Sequence, residues 1–309
     1  AASPTPGRVS RATAGGEETT AHPASPADGD PAERSSTSEM RLYISADMEG
    51  VAGITNRDLQ LVPEGRLYAE ARQLLTEEVN AAIRGAFAAG VNYIMVNDSH
   101  GGMNNLLPLQ LDQRAELSQG HPKPLYMVEG IDAGYDLAFF VGYHAAIGTA
   151  DGILNHSYNS RGVYNVRVNG TAMSESGLNG RVAGHFGVPV ALVTGDEATV
   201  RQTRAYAPGV EGAVVKWSHN RGSARSLSPE RARVVIEERN LGSRRLELEH
   251  LRTGALVGLD PDQVARDREG RIVGARVRRM EHDQQQAEQG GAGERRAHRG
   301  ISGVAKRAR

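Results

Sequence analysis

Two short apolar runs with a long amphipathic pattern between them leave this chain few folds to choose from. Residues 41–46 are apolar apart from Arg41 and Ser45, and residues 91–96 are apolar apart from Asn92. Between them Leu67, Ala71, Leu74, Leu75, Val79, Ile83 and Phe87 recur at helical spacing, with Glu70, Arg72, Glu77, Glu78 and Arg84 interspersed. That spacing predicts an amphipathic helix of about six turns, ended by Gly90. The second run shows little alternation, as a strand buried on both faces does. Strand, helix and strand of these lengths make a βαβ unit. Further apolar runs at 137–143, 188–193 and 212–217 continue it, with helical patterns at 174–186, from about 197, and at 229–238. The expected fold is α/β, a mostly parallel sheet flanked by helices. Residues 162–170 alternate Val163, Asn165 and Arg167 against Tyr164, Val166 and Val168, which predicts a hairpin strand with one wet face.

Composition narrows the chemistry. The chain has 309 residues, 5% aromatic, with 37 glycines and no cysteine. Disulfides and thiolate metal sites are therefore excluded, and any metal must be held by His, Asp or Glu. Residues 1–39 are dominated by Ala, Ser, Thr, Pro, Gly and Glu, without periodicity. Such a segment cannot bury enough surface to offset its ordering entropy, so disorder is expected there. Met40, just before the first apolar run, is a candidate natural start, which would make residues 1–39 dispensable. The domain expected to fold spans 40–238. Residues 239–309 are rich in Arg and Gln, and they read as a divergent, largely disordered tail. From residue 218 onward 20 Lys and Arg face 13 acids, a balance of +7, which reads as a solvated basic tail rather than a nucleic-acid interface. No apolar run approaches the roughly 18 residues of a membrane span.

Each of the first three apolar runs breaks off into residues that carry chemistry. The first ends in Asp47-Met48-Glu49-Gly50. Asp47 and Glu49 are two apart and share one side of an extended backbone, where they repel unless a cation lies between them. The second runs into Asn97-Asp98-Ser99-His100, and the third ends at His144. Three strands thus deliver candidate ligands to the same sheet edge, the edge at which open α/β sheets place their sites. His156 follows in a loop, and Glu175 stands in the first turn of a helix. Asp98 fits a turn former or a partner of a ligand better than a ligand. Two histidines and three carboxylates, Asp47, Glu49, His100, His144 and Glu175, form a hard, oxygen-rich set that suits two ions of zinc, manganese or cobalt. Such a pair clamps a carbonyl oxygen and acidifies a shared water, the logic of amide hydrolysis.

Ser45-Ala46-Asp47-Met48-Glu49-Gly50 resembles the S-x-D-x-E-G signature of the D-aminopeptidase family of dinuclear zinc peptidases. Asn97-Asp98-Ser99-His100-Gly101, Gly142-Tyr143-His144, Asn155-His156-Ser157 and Glu175 with Gly177-Leu178-Asn179-Gly180 follow in that family's order. The resemblance covers roughly residues 40–238. It implies two Zn2+ per chain bridged by Asp47, with Glu49 and His144 completing one site and His100 and Glu175 the other. It implies that His156 is the catalytic residue, as nucleophile or as acid/base. It further implies short peptide or amino acid amide substrates with an N-terminal D-residue, a cytoplasmic location and a homo-oligomer, a decamer in this family. A different dinuclear metallohydrolase, or an inactive metal-binding relative, uses the same ligand types; a substrate panel separates them.

Overall fold

The computed structural model describes residues 39–132, 134–159 and 161–240, together with the backbone of two short strands at Val264–Arg266 and Ile272–Ala275. The expectations for 1–38 and for most of 239–309 lie outside the described residues.

The first βαβ unit forms where the pattern requires it. Strand β1 spans Arg41–Ala46, helix α2 spans Tyr68–Ala88 and strand β2 spans Tyr93–Asp98, with a short helix α1, Arg57–Gln60, in the intervening loop. Gly90 follows α2 at φ +97°, the left-handed conformation that stops a helix cheaply at glycine. β2 begins two residues later than the apolar run and takes in Asn97 and Asp98, because it pairs with β1 residue for residue through Ala46 and Asp98. The chain continues through β3 (Glu116–Ser118), β4 (Leu137–Tyr143), α3 (Glu175–His185), β7 (Val190–Asp196) and α4 (Glu197–Tyr206). It then enters β8 (Glu211–Asn220), β9 (Ser223–Ser226) and α5, residues 229–240.

Seven strands form one sheet in the order β3-β2-β1-β4-β7-β8-β9, parallel throughout except for the β8–β9 edge pair. The order reverses around β1, which has β2 on one side and β4 on the other, so the crevice of a doubly wound sheet opens at its C-terminal end. Leu42, Ile44 and Ala46 pack on one face with Leu75, Val79 and Ile83 of α2 and Ala232 and Ile236 of α5. Tyr43, Phe140 and Val193 pack on the other with Ala183 of α3 and Val200 of α4. Both faces of the central strands are thus buried, which is why those runs read as continuous apolar sequence.

The hairpin expected over 162–170 is much shorter. Only Arg167–Val168 (β5) pairs with Thr171–Ala172 (β6), and the alternating residues before Arg167 are irregular. Tyr164 is almost fully exposed, so alternation there had no apolar face to bury. Among the described residues no helix is long and apolar enough to cross a membrane.

Candidate metal centre

The backbone brings the ends of β1 and β4 into direct contact. The Asp47 amide donates to Val141 O at 2.8 Å, and the Gly50 amide donates to Gly142 O at 2.7 Å. A Cβ on Gly142, which sits at φ +72°, would lie 2.1 Å from Asp47 O, so only glycine fits where these strands cross. This close approach sets Asp47 and Glu49 beside His144. Asp98, at the end of β2, accepts the Asn105 and Leu106 amides at 2.6 and 2.7 Å. It thereby folds the loop that carries His100, the supporting role its type suggested. α3 opens with Ser174, whose hydroxyl accepts the Gly177 amide, and the next residue is Glu175. A carboxylate there is favoured by the helix dipole and accepts the Tyr158 amide at 2.6 Å. Asp196 at the end of β7 accepts the Ile153 amide at 2.8 Å and ties down the segment that leads to His156.

All six sequence-predicted side chains converge. His100 Nδ1 lies 2.9 Å from Glu49 and 3.3 Å from Asp47. His144 Nε2 lies 3.4 Å from Glu175 and 3.5 Å from Asp47. His156 Nε2 is 3.8 Å from both Glu49 and Glu175, and its ring stacks on that of His144 at 4.1 Å. Two groups have ligand-to-ligand spacing, Asp47/Glu49/His100 and Asp47/His144/Glu175, and they share Asp47; a third, Glu49/His144/His156, overlaps both. The grouping differs from that implied by the resemblance. His100 goes with Glu49 and His144 with Glu175, because β2 delivers its loop to the Glu49 side of β1 while β4 and α3 meet on the other.

The polar accounting fits metal. His100 directs Nε2 to Leu61 O at 3.0 Å, His144 directs Nδ1 to Ala145 O at 2.9 Å, and His156 directs Nδ1 to Leu154 O at 3.0 Å. A carbonyl only accepts, so these contacts place a ring proton on the outward nitrogen and turn the inward one to the cluster, where it becomes a lone-pair donor once it gives up its proton. Asp47 Oδ2 and His144 Nε2 are buried without a hydrogen-bond partner, and Glu49 Oε2 has only the His100 Nδ1 contact. Orphans facing one another in a buried cluster are costly unless a cation satisfies them.

Electrostatics agree. Burial, with Glu49 beside it, pushes the Asp47 carboxyl up to about 7. Burial also opposes ionisation of Glu49, but His100, His156 and His144 overcome it and hold Glu49 well below the usual range. Burial disfavours the charged form of His144, and Glu175 and Asp47 outweigh it, raising the imidazole to about 10; Glu49 and Asp47 raise His100 likewise. Burial and the neighbouring His144 lower His156, which is neutral near pH 7. The carboxylates thus hold protons on His100 and His144, and bound cations displace such protons.

A cavity of about 740 Å³ opens over the cluster, with Asp47, Glu49, His100, His156 and Glu175 in its lining and His144 buried behind them. Tyr126, Tyr158, Arg57 and Arg161 complete the polar and aromatic lining. Tyr126 and Tyr158 sit at φ +53° and +54°, rare for non-glycine residues, with ring centroids 5.7 Å apart. Strain at two cavity residues is held by the surrounding packing and marks a working surface. Sequence reasoning passed over both tyrosines and both arginines, since loop residues without periodicity give no signal. It also passed over Lys216, whose signal was present as a lone charge in the apolar run 212–217.

A family profile, D-aminopeptidase, matches residues 40–247. A D-aminopeptidase of Bacillus subtilis is 40% identical over 201 residues, 65% of this chain and 72% of the relative. A solved structure, the Zn-dependent D-aminopeptidase DppA from Bacillus subtilis, a self-compartmentalizing protease, superposes with a TM-score of 0.65 at 36% identity. The superposition covers 71% of this chain and 76% of that one.

Proposed function

The chain belongs to the D-aminopeptidase family, and from that premise we propose that it is a zinc-dependent D-aminopeptidase with a dinuclear site. In this reading residues 40–238 are the catalytic domain. Asp47, Glu49 and His100 would hold one ion, and Asp47, His144 and Glu175 would hold the other. The observation that carries it is the ligand spacing of Asp47/Glu49/His100 and Asp47/His144/Glu175, with Asp47 Oδ2 and His144 Nε2 lacking a hydrogen-bond partner and each histidine's outward nitrogen at a main-chain carbonyl. When bound, the ions polarise the scissile carbonyl and lower the pKa of a water.

The chain's own residues do the rest. His156, neutral and with Nε2 free toward Glu49 and Glu175, takes up the proton released as the carbonyl is attacked and returns it to the departing amine. The Leu154 carbonyl, which accepts from Nδ1–H, and the stacked His144 ring orient that nitrogen. The cavity size suits a short peptide rather than a folded protein. Tyr126 and Tyr158 flank its side chains, and Arg57 and Arg161 supply positive charge for a peptide carboxylate.

Elemental analysis of the extensively dialysed protein, run beside hydrolysis of D-alanine amide, tests the reading. About two zinc per chain, with activity lost to chelator and restored by zinc, is the expected result. A folded, metal-free protein that stays inactive with added zinc overturns it. The self-compartmentalizing relative supports assembly of this chain as a homo-oligomer, a decamer as the family resemblance implies. Light scattering at a single-chain mass of 33.1 kDa would refute that assembly. The same reading puts the enzyme in the cytoplasm, which fractionation of the source cell checks.

A further inference from the structure

Lys216 lies on β8, three strands from β1 in the sheet order, yet it reaches the metal-bearing loop. Its side chain is fully buried. Nζ donates to Glu49 O at 2.5 Å, to Val51 O at 2.9 Å and to Ile54 O at 2.6 Å. An ammonium has three N–H groups, and all three are spent on main-chain carbonyls of one loop. Three carbonyls converging on a point form a cation site, and the chain fills it with its own lysine.

The same loop is gripped from two other directions. Glu78 of α2 accepts the Ala52 amide at 2.8 Å, and Ser226 of β9, which pairs with Lys216 across the strands, accepts the Gly53 amide at 3.2 Å. The loop leaving β1 therefore crosses the sheet edge to β8 and β9 with its polar groups satisfied from beneath. Of these contacts only the one from Lys216 falls on a residue of the metal cluster, the Glu49 carbonyl. Lys216 is not part of the cavity lining and has no proton to spare, so a chemical role is ruled out by geometry.

We infer that Lys216 is a positioning residue of the metal centre. By fixing the backbone at Glu49, Val51 and Ile54, it holds the Glu49 carboxylate at the spacing from Asp47 and His100 that a cation requires. The inference rests on the metal-centre reading above. Residues that orient ligands from behind cost ten- to hundredfold in metal affinity when lost.

The test titrates Co2+, against a competing chelator, into the metal-free full chain of wild type and Lys216→Met, with the visible cobalt spectrum, circular dichroism and thermal midpoint recorded for each. The expected result is a folded variant with ten- to hundredfold weaker Co2+ binding and an altered spectrum. A lowered midpoint with wild-type affinity and an unchanged spectrum makes Lys216 merely structural and overturns the inference. Should Lys216→Met not fold, Lys216→Arg is measured in the same way. Its planar guanidinium keeps the charge but cannot direct three N–H groups from one atom to the three carbonyls, so weakened binding is expected and wild-type binding overturns the inference. Wild-type protein that takes up no cobalt removes the metal centre itself, a failure distinct from wild-type binding in the variants.

Discussion

His156 separates the chemistry from the metal at the scale of one residue. Its inward nitrogen is farther from the carboxylates than those of His100 and His144, and it alone of the three is pushed toward the neutral form. His156→Ala is expected to lower kcat by roughly 10²–10⁴-fold while zinc content stays at the wild-type level. Loss of zinc instead would make His156 a ligand, as its grouping with Glu49 and His144 permits. His144→Ala behaves oppositely. It removes an inward lone pair shared between Asp47 and Glu175, so elemental analysis should find zinc depleted along with activity. Strand ends marked Asp47, Glu49, His100 and His144 in the sequence, whereas His156 in a loop and Glu175 in a helix first turn were legible only through the resemblance of their motifs. The partition of the ligands was not legible, since it depends on which side of β1 each neighbouring strand lies.

Elements matter here through their ends. α3 depends on Ser174 for its first turn, and Glu175 points from that turn into the cluster. Ser174→Ala should cost ~1 kcal/mol in denaturant unfolding, and Ser174→Asp should recover most of it. The crossing of β1 and β4 depends on Gly142. Gly142→Ala places a methyl against Asp47 O at a left-handed φ and should destabilise by ~2 kcal/mol or more, read as a fall in the denaturation midpoint. Helices α2, α3 and α4 were legible from period and caps. β3 and β9, of three and four residues, were not, because a strand that short is defined by its neighbour rather than by its own pattern.

For the whole molecule, stability depends on a buried charge between the two layers. Burial raises the Glu78 carboxyl to about 7, against the Ala52 amide and Lys216, which favour its ionised form. The folded state therefore holds a proton that the unfolded chain releases near 4.5. This stabilisation is complete below pH 4.5 and is lost as pH rises through 7, amounting to roughly 3 kcal/mol. Glu78→Gln should flatten the decline of the metal-free protein's thermal midpoint between pH 5 and 7 relative to wild type. A decline of the same slope in the variant would assign it to other groups.

The sequence by itself determined the α/β class, the three central strands and the identity of all six clustered side chains. Apolar runs buried on two faces and carboxylates at their ends are local patterns, and parallel pairing carries them to one edge. Tertiary structure alone decided how those side chains pair, which loops form the cavity and what holds the loop after β1. Lys216 and Glu49 are far apart in sequence and three strands apart in the sheet, and only the folded path of residues 50–54 brings the ammonium to the carbonyls. Hydrogen bonds between such distant groups leave no period in the chain to read.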